Sequence, residues 1–525
     1  MPQQILYEST NRGLTLERLL RIKDIQRFNP DIKGPFTERI PFIDAVVMGQ
    51  TPDTGLFVPT EFPQITMDEI AKLKGKPFTA AAYLVFRKFL TEEEISDENL
   101  HQLVNEAYDF TYPLAHVTGG PFSKYTRQYF LMHTESPTGD FKNTGSRANA
   151  RFPRYMGKPR QKYIKVTSSS GDTAGAVGIA DLNVEGIISI LLYPKGYIST
   201  VQEDIIRKTA GVKGGNVYAL AVEGAKFSAI QDKMAKAALA DQDLRAELSG
   251  LGFELTSGNS INWGRILPQI IHAVYSYAQL AEPGEPVIIS TPLGNMGHGL
   301  SVEMARMMGL PIFSIWPTNE NDPFPRYMKS GIYRPLTEEE VVACKSNSMI
   351  VSNPSNLARL FHFYGGNVDK DGNVNWYTPE EQFQEMHKHI YSPRVRKHEE
   401  SQTIADVYNG CRIDPEGSID VDPSSSYFGK DGRLIIEFHT SCAVHGLRQY
   451  FAQNNAPPDI LCIAQYTANP YKYYEDIAAL IGEEPKRPKA YEWFDGKKRG
   501  GTTIPFGYEG FREFILQIAR EHRSG

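Results

Sequence analysis

A chain of 525 residues is too long for one simple core, and at roughly 150 residues per domain it calls for two or three lobes. Hydrophobic residues at 41% and charged residues at 22% are ordinary for a globular protein, and the net charge of −6 leaves no basic footprint for nucleic acid. No apolar run approaches the roughly 20 residues that span a bilayer.

The N-terminal MPQQILYESTNRG lacks the basic and then apolar pattern of a signal peptide. Four scattered cysteines, Cys344, Cys411, Cys442 and Cys462, show no metal-type spacing, so a reduced cytoplasmic setting and no bound metal are expected. The first hundred or so residues read as a lobe of their own. They hold a helical stretch around Leu14 to Ile25, a Pro/Gly-rich passage from Gly49 to Pro63, and a renewed helical pattern from Met67.

From about Lys162 strands and helices alternate. KYIKVT is a β-branched run, followed by a small-residue loop and a helix from near Ala174. IISILLY (Ile187 to Tyr193) is continuously apolar, as a strand covered on both faces should be. A helix from near Thr200, the strand NVYALAV, a helix from about Phe227, the strand PVIIST, a further helix and the strand IFSIW continue the alternation. This order implies parallel sheets with right-handed crossovers, and ligands beyond the carboxyl ends of strands. The polar stretch from about Ser392 to Gly432 reads as a long surface excursion, and the segment from about Glu509 as an amphipathic helix.

Four motifs fall at such strand ends. SPTGDFKNTG (Ser136 to Gly145) places Lys142 among small residues, poor composition for a salt-bridge surface and good composition for an amine held in a pocket. Burial favours the neutral amine, which forms a Schiff base with an aldehyde, and the natural aldehyde is pyridoxal phosphate. TSSSGDTAG (Thr167 to Gly175) follows KYIKVT and offers free N–H groups and hydroxyls at a helix N-terminus, a site for a substrate carboxylate, with Asp172 toward the cofactor ring. A Ser/Asp helix cap without a ligand is its plain alternative.

TPLGNMGHGLS (Thr291 to Ser301) is neither GxGxxG nor GxxxxGK[ST], and its three glycines before a helix suit a compact phosphate. A tight strand-to-helix turn remains its alternative. YTANPYKYY (Tyr466 to Tyr474) puts a threonine hydroxyl at a strand end, where it could donate to a pyridine nitrogen.

Taken in order, these segments resemble threonine synthase, a pyridoxal-phosphate enzyme of fold type II, in its longer fungal and bacterial form. YPKGYISTVQ (Tyr193 to Gln202) is similar to the family's YPKGRVSxxQ, and YALAVEGAKFSAIQD (Tyr218 to Asp232) to its xVxGxFDDCQ. NSINWGRILPQ, from Asn259, is similar to NSINWARILAQ, TNENDPFPRYMKSGIY, from Thr318, to TNENDxLxRFxxTGxY, and PDTGLFVP, from Pro52, to PDGGLYVP.

The resemblance implies an α/β, tryptophan-synthase-β-like fold with two parallel-sheet lobes around a cofactor cleft. An N-terminal lobe would cover residues 1–115 and a catalytic region 116–525, divided near 125–285 and 286–525. By matching positions, Lys142 would be the Schiff-base lysine. Gly294, Asn295, Met296, Gly297 and His298 would cradle the cofactor phosphate, with Asp172 near the ring hydroxyl and Thr467 at the pyridine nitrogen. Ser169, Ser170 and Thr173 would hold the substrate carboxylate. Ser260, Asn262 and Arg265 would meet the substrate side chain, Arg265 through its fork of donors.

The implied reaction, a carbon–oxygen lyase reaction on a phosphate ester, turns O-phospho-L-homoserine and water into L-threonine and phosphate in a monomer or homodimer. There are departures. Where the family has FHGPTxAFKD this chain has HTESPTGDFKN, with Glu135 and Ser136 for the His-Gly pair and Asn143 for the Asp. TAHPAKF becomes TANPYKY, with Asn469 for the His, and DPHTAVG becomes EFHTSCAVHG, which retains His439 and Thr440. Extra residues lie between about Leu14 and Thr37. The departures leave open a sister enzyme acting on another phosphorylated or acylated amino acid, such as O-phosphoserine, and a non-catalytic homologue that binds a phosphorylated metabolite.

Overall fold

A computed structural model describes residues 4–157 and 161–523. Two sheets organise the chain. One has five parallel strands, in the order Thr502–Pro505, Val217–Glu223, Ile187–Pro194, Lys162–Ser168 and Phe253–Ser257. The other has seven, in the order Ile390–Tyr391, Ile312–Ile315, Val287–Ser290, Leu461–Tyr466, Gln128–Met132, Leu114–Gly119 and Cys411–Ile419. Its first five strands run parallel and its last two pairings are antiparallel. The chain therefore passes between sheets more than once: Gln128–Met132 belongs to the seven-stranded sheet, and the late strand Thr502–Pro505 edges the five-stranded one.

Local sequence explains the strand positions. Every residue of Ile187–Pro194, Val287–Ser290 and Leu461–Tyr466 is buried, as central strands covered on both faces require. At about 1.5–3 kcal/mol for each large apolar side chain removed from water, such strands hold the two layers together. Prolines sit where a strand ends or slips: Pro194 and Pro505 end their strands, and Pro415 lies where the register of Cys411–Ile419 shifts against Leu114–Gly119. The helices expected from near Thr200 and about Glu509 are Thr200–Ala210 and Tyr508–Glu521. Among the described residues no helix is long and apolar enough to cross a membrane.

Two expectations are corrected. The stretch Leu14 to Ile25 is not one helix. It forms two single turns, Leu16–Leu19 and Ile25–Phe28, because Asp24 takes a left-handed backbone (φ 59°) between them. Its apolar spacing still buries Leu14, Leu19, Ile22 and Ile25 in one cluster. The helix expected from about Phe227 starts there, widens after Ile230 into a π-type turn, Gln231–Ala235, and continues as Lys236–Ala240.

The second correction concerns residues 392–432, which are not a surface excursion. They contain the helix Lys397–Gly410 and the edge strand Cys411–Ile419, and they bury Ile404, Val407, Ile413, Tyr427 and Phe428. Polar composition hid this because the helix packs only one stripe of its surface inward.

That helix also buries Glu400, whose carboxylate accepts from Ser346 Oγ (2.7 Å) and Ser346 N (3.3 Å). Burial outweighs these bonds and pushes the group from 4.5 up to about 7. Folding thus disfavours the ionised form. The stability it contributes is fully present below the ordinary carboxyl value and lost as pH rises through about 7. Glu400→Gln should flatten the fall of the chemical-denaturation midpoint over this window, by about 3 kcal/mol. An unchanged slope would assign the fall to other groups.

Candidate active site

The carboxyl ends of strands from both sheets face one cavity of about 830 Å³, counting space open to solvent. Its walls come from the loops after Gln128–Met132, Lys162–Ser168, Phe253–Ser257, Val287–Ser290 and Leu461–Tyr466. Of the residues singled out in the sequence, Lys142, Ser170, Asp172, Thr173, Ser260, Arg265, Gly294, Asn295, Met296, Gly297, His298 and Thr467 line it. Two do not. Ser169 Oγ accepts from the N–H groups of Gly171 (2.9 Å) and Ala174 (3.0 Å), so it shapes the helix start. Asn262 donates to Val46 O (2.8 Å) and Ser257 O (3.0 Å) and accepts from Gly264 N, which makes it a scaffold residue.

Lys142 begins the helix Lys142–Met156, its N–H donating to Asp140 Oδ1 at 3.0 Å. Its side chain is 15% exposed, its ammonium lies 4.4 Å from the centre of the Phe141 ring, and its one carboxylate contact is Asp172 Oδ2 at 3.4 Å. Gly145, one turn on, lets this helix meet the Arg265 backbone; a Cβ there would lie 2.4 Å from Arg265 O. Asp172 opens the helix Asp172–Asp181. Its Oδ1 accepts from Lys472 Nζ (2.8 Å) and Gln202 Nε2 (2.8 Å), and its Oδ2 faces Lys142 and Ser348 Oγ (3.4 Å). Burial alone would raise this carboxyl, but Lys472, Lys142 and His439 together hold it well below the usual carboxylate range.

The helix Gly297–Met307 points its N-terminus into the cavity, where its first N–H groups have no partner within the helix. Met296, just before it, holds a left-handed backbone (φ 64°), an uncommon conformation for a long side chain. Gly294 fits because a Cβ there would lie 2.4 Å from Ser348 O. Thr467 also lines the cavity, and its hydroxyl is buried with no partner. Arg265 is buried with its fork on the carbonyls of Gly258 and Lys142, and its Nε is unpartnered; burial pulls it down to about 10.

Sequence reasoning missed several members of this shell. Lys472 and Gln202 donate to Asp172, and Lys472 also donates to Asp140. Asn259 clasps Ser168, donating to its carbonyl at 2.6 Å. His439 takes the Ser348 N–H at 3.1 Å and is oriented by Glu437 at 2.7 Å. A lysine among four tyrosines in YTANPYKYY was a visible oddity, but its partners lie some 300 residues away and no local signal named them.

Behind Phe141, His133, His272 and His298 are buried together. His272 Nδ1 lies 3.0 Å from His298 Nε2, while Thr144 and Gln465 bind the outer nitrogens. Burial pulls His133 down to about 4 and the other two well below the usual histidine value, so the cluster is neutral. The departures Glu135, Ser136, Asn143 and Asn469 are not among the cavity-lining residues. Ser136 and Asn143 brace the lysine loop, Asn469 caps the following turn, and Glu135 bonds Thr134 and Ser425.

The comparisons with known proteins agree with this architecture. Residues 35–108 match the family described as "Threonine synthase N terminus". Threonine synthase of Buchnera aphidicola subsp. Acyrthosiphon pisum is 32% identical over 358 residues, 67% of this chain and 79% of that one. The Serratia marcescens threonine synthase is 28% identical over 483 residues, 92% of this chain and 97% of that one. The crystal structure of a PLP-bound threonine synthase from Brucella melitensis superposes with a TM-score of 0.77 at 25% identity, covering 98% of this chain and all of that one. With lysine, anion cradle and orphan hydroxyl at the strand ends of this fold, the chain belongs to the threonine synthase family.

Proposed function

We infer that this protein is a threonine synthase that uses pyridoxal phosphate to convert O-phospho-L-homoserine and water into L-threonine and phosphate. The observation that carries the reading is the joint placement of Lys142, the N-terminus of Gly297–Met307 and the unpartnered Thr467 hydroxyl around one cavity. These groups fit the cofactor. The helix N-terminus and the Gly294 turn form a cradle for a phosphate, and the orphan hydroxyl is a donor awaiting a ring nitrogen. Bound pyridoxal phosphate supplies the electron sink for charge developing at the amino acid's α-carbon.

The chain's own residues do the rest. Lys142 holds the cofactor and, as a free amine, carries protons at the α- and β-carbons of the substrate. It suits this role better than the other lysine at the site, since Lys472 is locked between two carboxylates while Lys142 has a single 3.4 Å contact. Ser170 and Thr173, at the start of Asp172–Asp181, present donors for a substrate carboxylate. Ser260 lines the same cavity as a candidate for the substrate side chain, whereas Arg265, expected there through its fork of donors, spends that fork on the Gly258 and Lys142 carbonyls. Phe141, Phe227 and Met349 supply apolar wall that limits water.

The Glu135, Ser136, Asn143 and Asn469 departures motivated a different substrate. Their absence from the cavity wall removes that motive. The 1–115 lobe, a cytoplasmic location and a monomeric or dimeric state are part of the same proposal. Inorganic phosphate release by the PLP-loaded protein tests it, with O-phosphohomoserine, O-phosphoserine and O-phosphothreonine compared in parallel. Phosphate release from phosphohomoserine with threonine as product is expected. Release from another ester alone would assign a different substrate.

A further inference from the structure

The three histidines behind Phe141 come from three separate elements and form no local motif in the sequence. His133 follows the strand Gln128–Met132, His272 lies in the helix Ile270–Leu280, and His298 is the second residue of Gly297–Met307. They are 1%, 0% and 3% exposed. One ring nitrogen from each lies within 4.8 Å of the other two. Zinc holds imidazole nitrogens at about 2.0–2.1 Å, which sets any two of them roughly 3.3 Å apart around a tetrahedral ion. His272 Nδ1 and His298 Nε2 already stand 3.0 Å apart. The third ring has to close by about 1.5 Å at most.

The hydrogen bonds leave ligand positions open. Gln465 Oε1 only accepts, so His133 Nε2, 2.9 Å from it, carries the proton and His133 Nδ1 keeps a lone pair. That Nδ1 is buried with no partner, and so is His298 Nδ1. Thr144 Oγ1 holds His272 Nε2 at 2.7 Å and is held in turn by the Tyr112 hydroxyl at 2.6 Å. Outer nitrogens fixed in this way orient imidazoles toward a metal. Burial keeps all three rings neutral, which is the form that ligates. Packing alone would be served better by apolar rings, because an imidazole nitrogen without a partner is costly in a dry interior.

We propose that His133, His272 and His298 form a binding site for a divalent first-row transition ion, of which zinc is the probe, reached from the cavity that His298 lines. Three nitrogens and no carboxylate suit zinc, copper or nickel and disfavour magnesium and calcium. Three histidines are a sufficient zinc set and leave a fourth position open. The Lys142 ammonium, 4.4 Å from the Phe141 ring on which His298 stacks, opposes a cation. Binding should therefore be weaker than at four-ligand structural sites, with half-occupancy at about micromolar free zinc. The site stands whether or not the chain makes threonine.

The test is equilibrium dialysis of the full-length, PLP-loaded protein against chelator-buffered zinc in phosphate-free buffer, with bound metal counted by mass spectrometry. One equivalent per chain should bind at about micromolar free zinc. His272→Gln should weaken that equivalent by at least about 100-fold. Surface pairs also take zinc, as Glu385 and His389, 2.9 Å apart, are placed to do, so His389→Gln is the control and should leave the equivalent in place. A wild type that binds no zinc overturns the proposal, and so does an equivalent that survives His272→Gln. X-ray absorption at the zinc edge of the wild type reads the ligands directly and does not depend on a variant that folds. Scattering from about three imidazole rings is expected, and a spectrum of oxygen or sulfur ligands without those rings overturns the site.

Discussion

Lys142→Ala should abolish threonine formation, with a loss of at least about 10⁴-fold, because one amine both anchors the cofactor and moves the protons. The visible absorbance of the lysine-linked cofactor should vanish in the same preparation. The fold should survive, since the side chain is 15% exposed and its one ionic contact is long, at 3.4 Å. Neighbouring lysines are poor substitutes: Lys472 is held by Asp140 and Asp172, and Lys165 by Asp181. A variant that keeps either the absorbance or the turnover would show that another amine does this work.

Lys165→Met should produce a large loss of stability. Lys165 rises from the strand Lys162–Ser168 and donates to Asp181 Oδ1 at 2.8 Å, with the two side chains only 2% and 0% exposed. Burial pulls the lysine down and Asp181 partly restores it. The other Asp181 oxygen has no partner, so removal of the ammonium leaves a buried carboxylate without a hydrogen bond. The expected cost is about 3–5 kcal/mol, read from denaturant unfolding. The double change Lys165→Met with Asp181→Leu should recover most of it, because a packed apolar pair replaces a desolvated ionic one. Asp181 closes the helix that Asp172 opens, so the single variant should also weaken pyridoxal phosphate binding. A double variant no more stable than the single would place the loss in packing and not in charge.

The first of these expectations came from residues legible in the chain. Lys142 between small residues, the glycines before Gly297–Met307 and Thr467 at a strand end were all marked by local composition, and all line the cavity. The second could not be read so. Lys165 sits in a strand whose neighbours are apolar, and its partner is 16 positions on, at the far end of the next helix. The alternation of continuous apolar runs with amphipathic segments also announced the parallel sheets. Boundaries failed where one residue's backbone overrode the periodicity, as at Asp24, and where a helix buried only a thin stripe, as in Lys397–Gly410.

Sequence by itself determined the chemistry available to this protein: a pocket lysine, a glycine turn before a helix N-terminus, a neutral hydroxyl at a strand end, and the order in which the strands deliver them. These are local properties, set by side-chain size, glycine freedom and helix N-termini within ten residues of one another. Only the tertiary structure decided which charges meet. Lys472 reaches Asp140 across 332 positions and Asp172 across 300, and Asp172 turns one oxygen to each lysine. It also decided that Ser169 and Asn262 serve the scaffold and that Glu135 and Asn469 stand off the cavity wall. The reason is physical: an ion pair in a dry interior depends on distance and burial, and both are products of how the two sheets close on the cleft.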